Sequence, residues 1–422
     1  MHDIEERYYK VSDTFLKVIG LWPYQKTKFV RIQNVLIIGI LCGYIIVQLL
    51  SFLTMQFSVN LLLKVLSFVF PTLFMIIKYC TFIIQADNVK QLVEETRYDW
   101  KLVKNKLETD IIKKYAENGR FITMIAIVCC HCGIICYITL QLLPLILNVI
   151  APLNESRSVK LIATTEYFLN REKYIWVMLV HEIVTVYLRM VTMCSTSMTL
   201  MMQILHACAL FNIASYRMEN AIQENVLTIH DHLKENLLHQ RIAHVVLIHR
   251  RAIRFIELCL SSFAIPFALL ILIGVSSLSV NLFHLLQLIT AADDVHEIYA
   301  AFYSVLLHFC YMFIFNYGGE IVQNHGMQVF EATYNGLWYV TPLRTQKLIL
   351  FVMQRAIVKI TLSCGNIVVA SLEGFLTVKL KQFLNKEIIL NLYGFTELFN
   401  ILCFQLTSTA ISYFTRPFCV RE

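Results

Sequence analysis

Long apolar stretches constrain this chain more than any other feature of its sequence. A helix needs about 20 mostly apolar residues to cross the hydrocarbon core of a bilayer, and seven stretches reach that length. They are, in order, Ile32–Phe52, Leu61–Ile84, Phe121–Leu147, Tyr174–Met198, Leu258–Leu286, Ile298–Tyr317 and a final region from Lys347 to Phe414. This final region is too long for one crossing. The sequence therefore predicts an all-α integral membrane protein with seven transmembrane helices.

The composition excludes the main classes of soluble protein. Of the 422 residues, 57% are hydrophobic and 15% are charged, whereas an average soluble protein is about 45–50% apolar and about 25% charged. A larger core cannot absorb this difference, because one soluble core stops growing at roughly 250–300 residues. A soluble enzyme, a nucleic-acid-binding protein and a disordered scaffold are therefore excluded. No GxSxG, HExxH or Walker motif occurs, so we predict no enzyme activity and no cofactor.

Positive charge is unevenly distributed between the two ends of the predicted spans. Segments on one side of a seven-span topology carry 22 Lys and Arg residues, and segments on the other side carry six. Because cytoplasmic loops are enriched in Lys and Arg, we predict a cytoplasmic N-terminus and an extracellular C-terminus. The sequon Asn154-Glu155-Ser156 falls on the predicted outer side, which agrees with N-glycosylation of Asn154.

The polar segments between the spans suggest three regions. Residues 1–31 form a predicted cytoplasmic tail with an amphipathic helix, and residues 32–317 form a six-span ligand-binding bundle. Residues 85–120 and 202–257 are charged, but their apolar residues recur at helical spacing. We therefore interpret both as cytoplasmic helical extensions of the spans. Residues 318–422 form a cytoplasmic anchor and the last span.

Two polar clusters could carry chemistry, but each has a simpler structural explanation. The run Cys129–Cys132 (Cys-Cys-His-Cys) lies inside a span, where four adjacent side chains point in different directions and cannot converge on one metal ion. We interpret this run as packing rather than as a metal site. His239, His244 and His249 recur every five residues, and we interpret them as part of a solvated basic helix near lipid headgroups.

Ionisable residues inside the spans raise the possibility of a pump or transporter. The candidates are Lys78, His181, Glu182, Arg189 and Glu320. Lys78 and Arg189 lie toward predicted cytoplasmic ends of their spans, from which long side chains can snorkel to the interface. The remaining acids are too few for a coupled proton path. A transporter is kept as the alternative from a different functional class.

Short motifs follow one another in a characteristic order, mostly in the last hundred residues. The motifs are Gly20-Leu21-Trp22-Pro23, His206-Ala207-Cys208-Ala209-Leu210-Phe211, Tyr334 with Trp338-Tyr339, Met353-Gln354-Arg355, Ser371-Leu372-Glu373-Gly374-Phe375 and Ser412-Tyr413-Phe414. In this order, and with the inverted seven-span topology, the chain resembles the insect odorant receptors over its whole length.

This resemblance implies an odorant-gated, non-selective cation channel. Family members assemble with the olfactory co-receptor as a heterotetramer, in the plasma membrane of olfactory sensory neurons, and they detect small volatile or hydrophobic ligands. The 202–257 segment is short compared with the long loop of the co-receptor, which indicates a tuning subunit. A gustatory receptor of the same superfamily is the nearest alternative, although its C-terminal Thr-Tyr-x-x-x-x-x-Gln-Phe motif does not occur here.

The resemblance also implies where the functional residues lie. The ligand occupies the outer half of the bundle, among spans 2, 3, 4 and 6, and the last span lines the pore. By position, the residues that could line the ligand pocket are Phe70, Phe74, Tyr137, Met178, Phe302 and Tyr303. The pore and signature residues are Tyr334, Trp338, Ser371, Glu373, Phe375, Ser412, Tyr413 and Phe414.

The C-terminal region is longer than the family pattern. Here 36 residues separate Phe375 from Ser412, and removing the 28 residues 378–405 leaves a gap of the family's length. We hypothesise that residues 378–405 are a retained intron read in frame, because Val-Lys can be encoded by a GTAA donor and Phe-Gln by a TTTCAG acceptor. A real insertion is the alternative, and it requires the last span to break, fold outside the membrane or cross an eighth time.

Overall fold

The protein folds as a bundle of long α-helices, seen in a computed structural model that describes residues 2–150, 161–222, 231–291, 295–358, 360, 363–364 and 368–369. The helices are α1 (His2–Val18), α2 (Lys28–Leu49), α3 (Ser51–Thr54), α4 (Val59–Ile84), α5 (Ala86–Leu102), α6 (Lys106–Ile150), α7 (Arg171–Glu219), α8 (Asp231–Ala291), α9 (Val295–Tyr334) and α10 (Leu343–Ala356). A 3₁₀ turn covers Trp338–Val340. Two short strands, β1 (Ser363–Cys364) and β2 (Val368–Val369), pair antiparallel.

Six helical segments are long and apolar enough to cross a membrane. They are Lys28–Thr54, Val59–Ile84, Lys106–Ile150, Arg171–Glu219, Ile265–Ala291 and Glu297–Tyr334. Each of them contains or overlaps one of the first six spans that the sequence predicts, so the predicted all-α membrane fold is confirmed. Most of the predicted seventh span, including everything from Ser371 to Phe414, lies outside the described residues.

The beginning of the final region forms a short helix rather than part of a long span. Lys347 lies in α10, which ends at Ala356 and is followed by β1 and β2. A helix of 14 residues is about 21 Å long, too short for a hydrocarbon core of about 30 Å. Instead, α10 buries Ile349, Val352 and Met353 against apolar side chains of α7 and α8.

Four helices continue well beyond the thickness of a bilayer. Helices α6, α7, α8 and α9 contain 45, 49, 61 and 40 residues, and at 1.5 Å per residue α8 is about 90 Å long. The charged segments 85–120 and 202–257 lie mostly in α5 and in the extensions of α6, α7 and α8. Residues 85, 103–105 and 220–222 form short connections, and 223–230 are outside the described residues. We call the end of the bundle that these extensions form with α10 the polar end.

A buried charge network holds the polar end together. His206 Nε2 of α7 and Asp99 Oδ2 of α5 are 3.0 Å apart, and neither side chain is exposed. Arg251 of α8 donates through Nε to the other oxygen of Asp99 and through Nη2 to Glu95 at 2.7 Å. Because burial of an unpaired charge is costly, this carboxylate fixes α5, α7 and α8 relative to one another.

The basic helix is not solvated along all of its length. His239 and His244 are exposed, but His249 is only 3% exposed and its ring lies 5.9 Å from that of Phe211. Burial, with a smaller contribution from the positive charge of Arg355, lowers the pKa of His249 to about 4. The interpretation of His249 as a solvated headgroup-facing residue is therefore wrong, because its position on α8 turns it toward α7 and the core.

Candidate ligand-binding cavity

Two adjoining cavities lie inside the membrane-spanning part of the bundle. The larger, which we call the main cavity, has a volume of about 150 Å³ and lies among α4, α7, α8 and α9. The smaller, the side cavity, has a volume of about 50 Å³ and is also lined by α6 and by Ile162. The two cavities share four lining residues: Arg189, Met190, Ser304 and Leu307.

The main cavity has a mostly apolar wall with a few polar groups. Phe74 of α4 meets Tyr311 of α9 edge to face, with ring centroids 5.2 Å apart. Polar side chains reach the wall from α7 and α9, including Arg189, His308 and Asn316. An apolar wall with few polar groups is the usual composition of a small-molecule site, and an apolar cavity of about 150 Å³ can hold a molecule the size of benzene.

Lys78 does not snorkel to the membrane surface as the sequence suggested. Its side chain is 2% exposed, and its Nζ donates to Ser197 Oγ at 2.6 Å and lies 4.6 Å from the centroid of the Tyr311 ring. It lines a third space of about 70 Å³, which shares Phe267, Tyr311 and Phe315 with the main cavity. The stem of Lys78 points into the bundle because α4 turns this face toward α7 and α9.

A proline in α4 shapes the wall shared by α4 and α8. Pro71 has no N–H, so the carbonyl of Ser67, one turn earlier, lacks its helical partner. Asn281 of α8 is buried, and its Nδ2 donates to this carbonyl at 3.3 Å and to the carbonyl of Ser277 at 2.8 Å. The asparagine therefore satisfies the backbone group that the proline leaves free, and it joins α4 to α8 beside the cavities.

We expect Asn281→Leu to lower the free energy of unfolding by about 1–3 kcal/mol, because it leaves the buried Ser67 carbonyl without a donor. Thermal unfolding of the purified receptor measures this effect. In the control Pro71→Ala/Asn281→Leu, residue 71 regains an N–H for the Ser67 carbonyl, so the loss should shrink. Equal losses in the single and the double variant contradict this explanation.

Glu182 fixes the segment that closes the side cavity. This residue of α7 is buried, and its carboxylate accepts hydrogen bonds from Tyr137 Oη at 2.5 Å, from the Ala163 N–H at 3.2 Å and from Gln141 Nε2 at 3.4 Å. Ala163 follows Ile162, which lines the side cavity. The carboxylate therefore holds an otherwise irregular segment against α6 and α7.

An ion pair joins α4 and α9 at the side cavity. Lys64 Nζ and Glu297 Oε1 are 2.5 Å apart, and both side chains are largely buried. Both residues line the side cavity. Lys64 and Glu297 therefore neutralise each other's charge at this wall.

The structure brings three of the predicted pocket residues to these cavities. Phe74 lines the main cavity, and Tyr137 and Tyr303 line the side cavity. Phe70 is half-buried and lines neither of the two. The other two lie elsewhere: Met178 packs against Leu161 and Leu179, and Phe302 is 55% exposed.

A close approach of two helices positions Tyr303. Gly133 of α6 faces Tyr303 of α9 so closely that a Cβ at residue 133 would lie 1.7 Å from Tyr303 Oη. A larger residue at position 133 would force the Tyr303 ring or one of the two helices to shift. Tyr303 was predicted as a pocket residue from the sequence, but nothing in the sequence indicated that Gly133 packs against it.

Two of the predicted signature residues lie in the described part of the chain. Tyr334 ends α9 and stacks on Phe330, with ring centroids 6.0 Å apart. Trp338 Nε1 donates to the Tyr334 carbonyl at 3.2 Å, which closes the turn before α10. The remaining predicted site residues, Asn154, Ser371, Glu373, Phe375, Ser412, Tyr413 and Phe414, lie outside the described residues.

Sequence comparison identifies the family. A sequence model described as 7tm odorant receptor matches residues 58–380, which is more than half of the chain. The chain belongs to this family. No curated protein sequence matches this odorant receptor.

The fold of this odorant receptor is that of solved insect olfactory receptors. It is similar to OR5 from Machilis hrabei in complex with eugenol, with a TM-score of 0.72 and 14% identity over 94% of this chain and 98% of that one. The structure of OR5 described without a ligand gives a TM-score of 0.73 at 14% identity, over 92% and 98% of the two chains. Family and fold place this membrane protein among receptors rather than enzymes.

Several residues at the cavities were not predicted as site residues. Ser304, His308, Tyr311 and Phe315 of α9 line the main cavity. Their spacing of three and four residues places them on one helical face, and this spacing is visible in the sequence. Nothing in the sequence marked Asn281, because its role depends on a contact between two distant helices.

Proposed function

We propose that this odorant receptor is a subunit of an odorant-gated, non-selective cation channel that assembles with the olfactory co-receptor in a heterotetramer. In this proposal it detects small volatile or hydrophobic ligands in the plasma membrane of olfactory sensory neurons. The observation that carries the proposal is the main cavity, because it is apolar, lies within the spans, and can hold a small ligand. The OR5 structure with eugenol supports ligand binding in a chain of this fold.

The ligand acts in this mechanism by changing an equilibrium between closed and open channels. A ligand shifts such an equilibrium only by its difference in affinity for the two states. Helices α8 and α9 line both cavities and continue to the polar end, where α10 packs against α8. A cavity that contracts around a ligand therefore has a direct mechanical connection to the region before the last span, which lines the pore in this proposal.

The proposed topology places the N-terminus in the cytoplasm and the C-terminus outside. The uneven distribution of Lys and Arg supports it, and Asn154 is then an extracellular glycosylation site. The polar end, with its charged extensions, lies in the cytoplasm. Of the predicted pocket residues, Phe74, Tyr137 and Tyr303 are proposed to contact the ligand because they line the two cavities, which Phe70, Met178 and Phe302 do not line.

We further propose that residues 378–405 are absent from the conducting protein. The family match ends at residue 380, just after the start of this segment, and this end point supports the retained-intron hypothesis. Sequencing of antennal transcripts tests it. Reads that join the codon of Thr377 directly to that of Leu406 support the hypothesis, and inclusion of the segment in every read favours a real insertion.

Expression in a cell line tests the function. We expect odorant-evoked cation current when the chain lacking residues 378–405 is expressed with the olfactory co-receptor, and no such current when the chain is expressed alone. The full chain with the co-receptor is the matched comparison. An evoked current without the co-receptor contradicts the heterotetramer, and substrate uptake without ligand-gated current supports the transporter alternative.

A further inference from the structure

Arg189 lies where the main cavity meets the side cavity and lines both. Its guanidinium has five N–H donors in a planar fork and is always charged. In the part of the chain that the structure describes, it makes one hydrogen bond, from Nη1 to Thr72 Oγ1 at 2.9 Å. That hydroxyl donates in turn to the carbonyl of Phe68 at 2.7 Å. Thr72 is neutral, so it satisfies one donor but provides no counter-charge.

The described residues do not provide a carboxylate for Arg189. None of their carboxylates forms an ion pair within 4.0 Å of its guanidinium. Glu182, two turns earlier on α7, is near enough for its charge to interact with that of Arg189, but the two do not form an ion pair within 4.0 Å. Its carboxylate instead accepts from Tyr137, Gln141 and Ala163. Charges inside membrane proteins are normally paired or mark a functional path, so a guanidinium at a cavity wall without such a partner is an unusual arrangement.

The other polar side chains that line the main cavity add no negative charge. His308 bridges α8 and α9 through Ser277 Oγ, 2.7 Å from its Nε2, and the Ser304 carbonyl, 2.7 Å from its Nδ1. A second basic group, the amine of Lys78, lies over the ring of Tyr311, and Tyr311 itself lines the main cavity. The wall of the main cavity therefore carries a positive charge at Arg189. The rest of the wall is apolar except for a few polar side chains that carry no negative charge.

We propose that Arg189 binds the carboxylate of an acidic odorant whose apolar tail occupies the main cavity. This inference rests on the proposed function and names the ligand class of the same site. A carboxylate has two oxygens that match the fork of a guanidinium. It also brings a negative charge into direct contact with the guanidinium, and no described carboxylate lies within 4.0 Å of it. Phe74, Met193 and Leu270 provide the apolar surface for the tail.

The test compares one small carboxylic acid with its methyl ester and its alcohol in the co-receptor current assay. It uses whichever form conducts in that assay, the full chain or the chain lacking residues 378–405. We expect the unsubstituted receptor to respond to the acid at the lowest concentration. Arg189→Gln should raise the half-maximal concentration for the acid by about tenfold to hundredfold, the range expected for a lost hydrogen bond to a charged group. The values for the ester and the alcohol should change by less than about threefold.

Two controls separate ligand binding from a structural role. The double variant Lys64→Gln/Glu297→Gln removes a positive charge from the wall of the side cavity together with the carboxylate that pairs with it, so the net charge of the wall is unchanged. It should therefore shift acid and ester to the same extent. Arg189→Lys keeps the charge but loses the fork, and should restore part of the acid response.

The outcomes distinguish the inference from the proposed function. A receptor that responds to the ester but never to the acid overturns the inference and leaves the proposed function standing. Equal shifts for all three ligands in Arg189→Gln also overturn it and make Arg189 a positioning residue. If the variant does not reach the cell surface, thermal unfolding of the purified, unsubstituted receptor gives the answer, because the acid should raise its melting temperature more than the ester does. Failure of every odorant to evoke current with the co-receptor contradicts the proposed function itself.

Discussion

Asp99→Asn is expected to lower the free energy of unfolding by about 3–5 kcal/mol, the cost of breaking a buried ion pair by removal of one partner. Asp99 is completely buried and meets both His206 and Arg251. Asparagine keeps the volume but removes the negative charge and one acceptor. Helices α5, α7 and α8 then lose the group that they share, and we expect a large fall in surface expression and in the melting temperature of the purified receptor.

Glu95→Gln is the matched control for this experiment. Glu95 contacts the same guanidinium, with Arg251 Nη2 at 2.7 Å, but its side chain is 42% exposed. Exposed ion pairs contribute about 0–1 kcal/mol, so surface expression should stay close to that of the unsubstituted receptor. If the two variants lose similar amounts of stability, burial of Asp99 does not explain the strength of the network.

The second large effect is expected from Gly133→Ala, which should abolish or strongly reduce odorant-evoked current. The new Cβ would lie 1.7 Å from Tyr303 Oη and 2.9 Å from Cζ, distances at which one of the two residues must move. Tyr303 lines the side cavity, so its displacement changes the space available to the ligand. The measurement is the concentration–response curve, normalised to the amount of receptor at the cell surface.

Two further variants make this prediction specific. Gly39→Ala in α2 adds the same methyl group to a transmembrane helix, but its Cβ would meet nothing within 4 Å, so the response should be unchanged. Gly133→Ala/Tyr303→Phe removes the oxygen at 1.7 Å and should recover part of the response. A normal response in Gly133→Ala alone contradicts the close packing of α6 and α9.

The sequence predicted the fold because the information is local. Length and apolarity are enough to locate a helix that crosses a membrane, and helical spacing of apolar residues indicated the extensions at 85–120 and 202–257. The bounds of the final region, Lys347 to Phe414, were broad for the same reason. Apolar residues on one face of α10 extend this region toward Lys347, whereas the helix is only 14 residues long.

The site was predicted less completely because it depends on contacts between helices. Aromatic residues such as Phe74, Tyr137 and Tyr303 stand out in a sequence, and all three line the cavities. Lys78 and Arg189 were interpreted by their depth in a span, but their surroundings depend on the rotation of α4 and α7. Apolar spans do not encode that rotation clearly when almost every face is apolar.

The pairing of Pro71 with Asn281 restricts the order in which this receptor can evolve. If Pro71 is replaced first, residue 71 regains a backbone N–H for the Ser67 carbonyl, and the hydrogen bond from Asn281 is no longer required. If Asn281 is replaced first, the buried Ser67 carbonyl has no hydrogen-bond donor, and the receptor with that single change is less stable. Descendants that lack only the proline should therefore outnumber those that lack only the asparagine, and these two distant positions should vary together along the lineage.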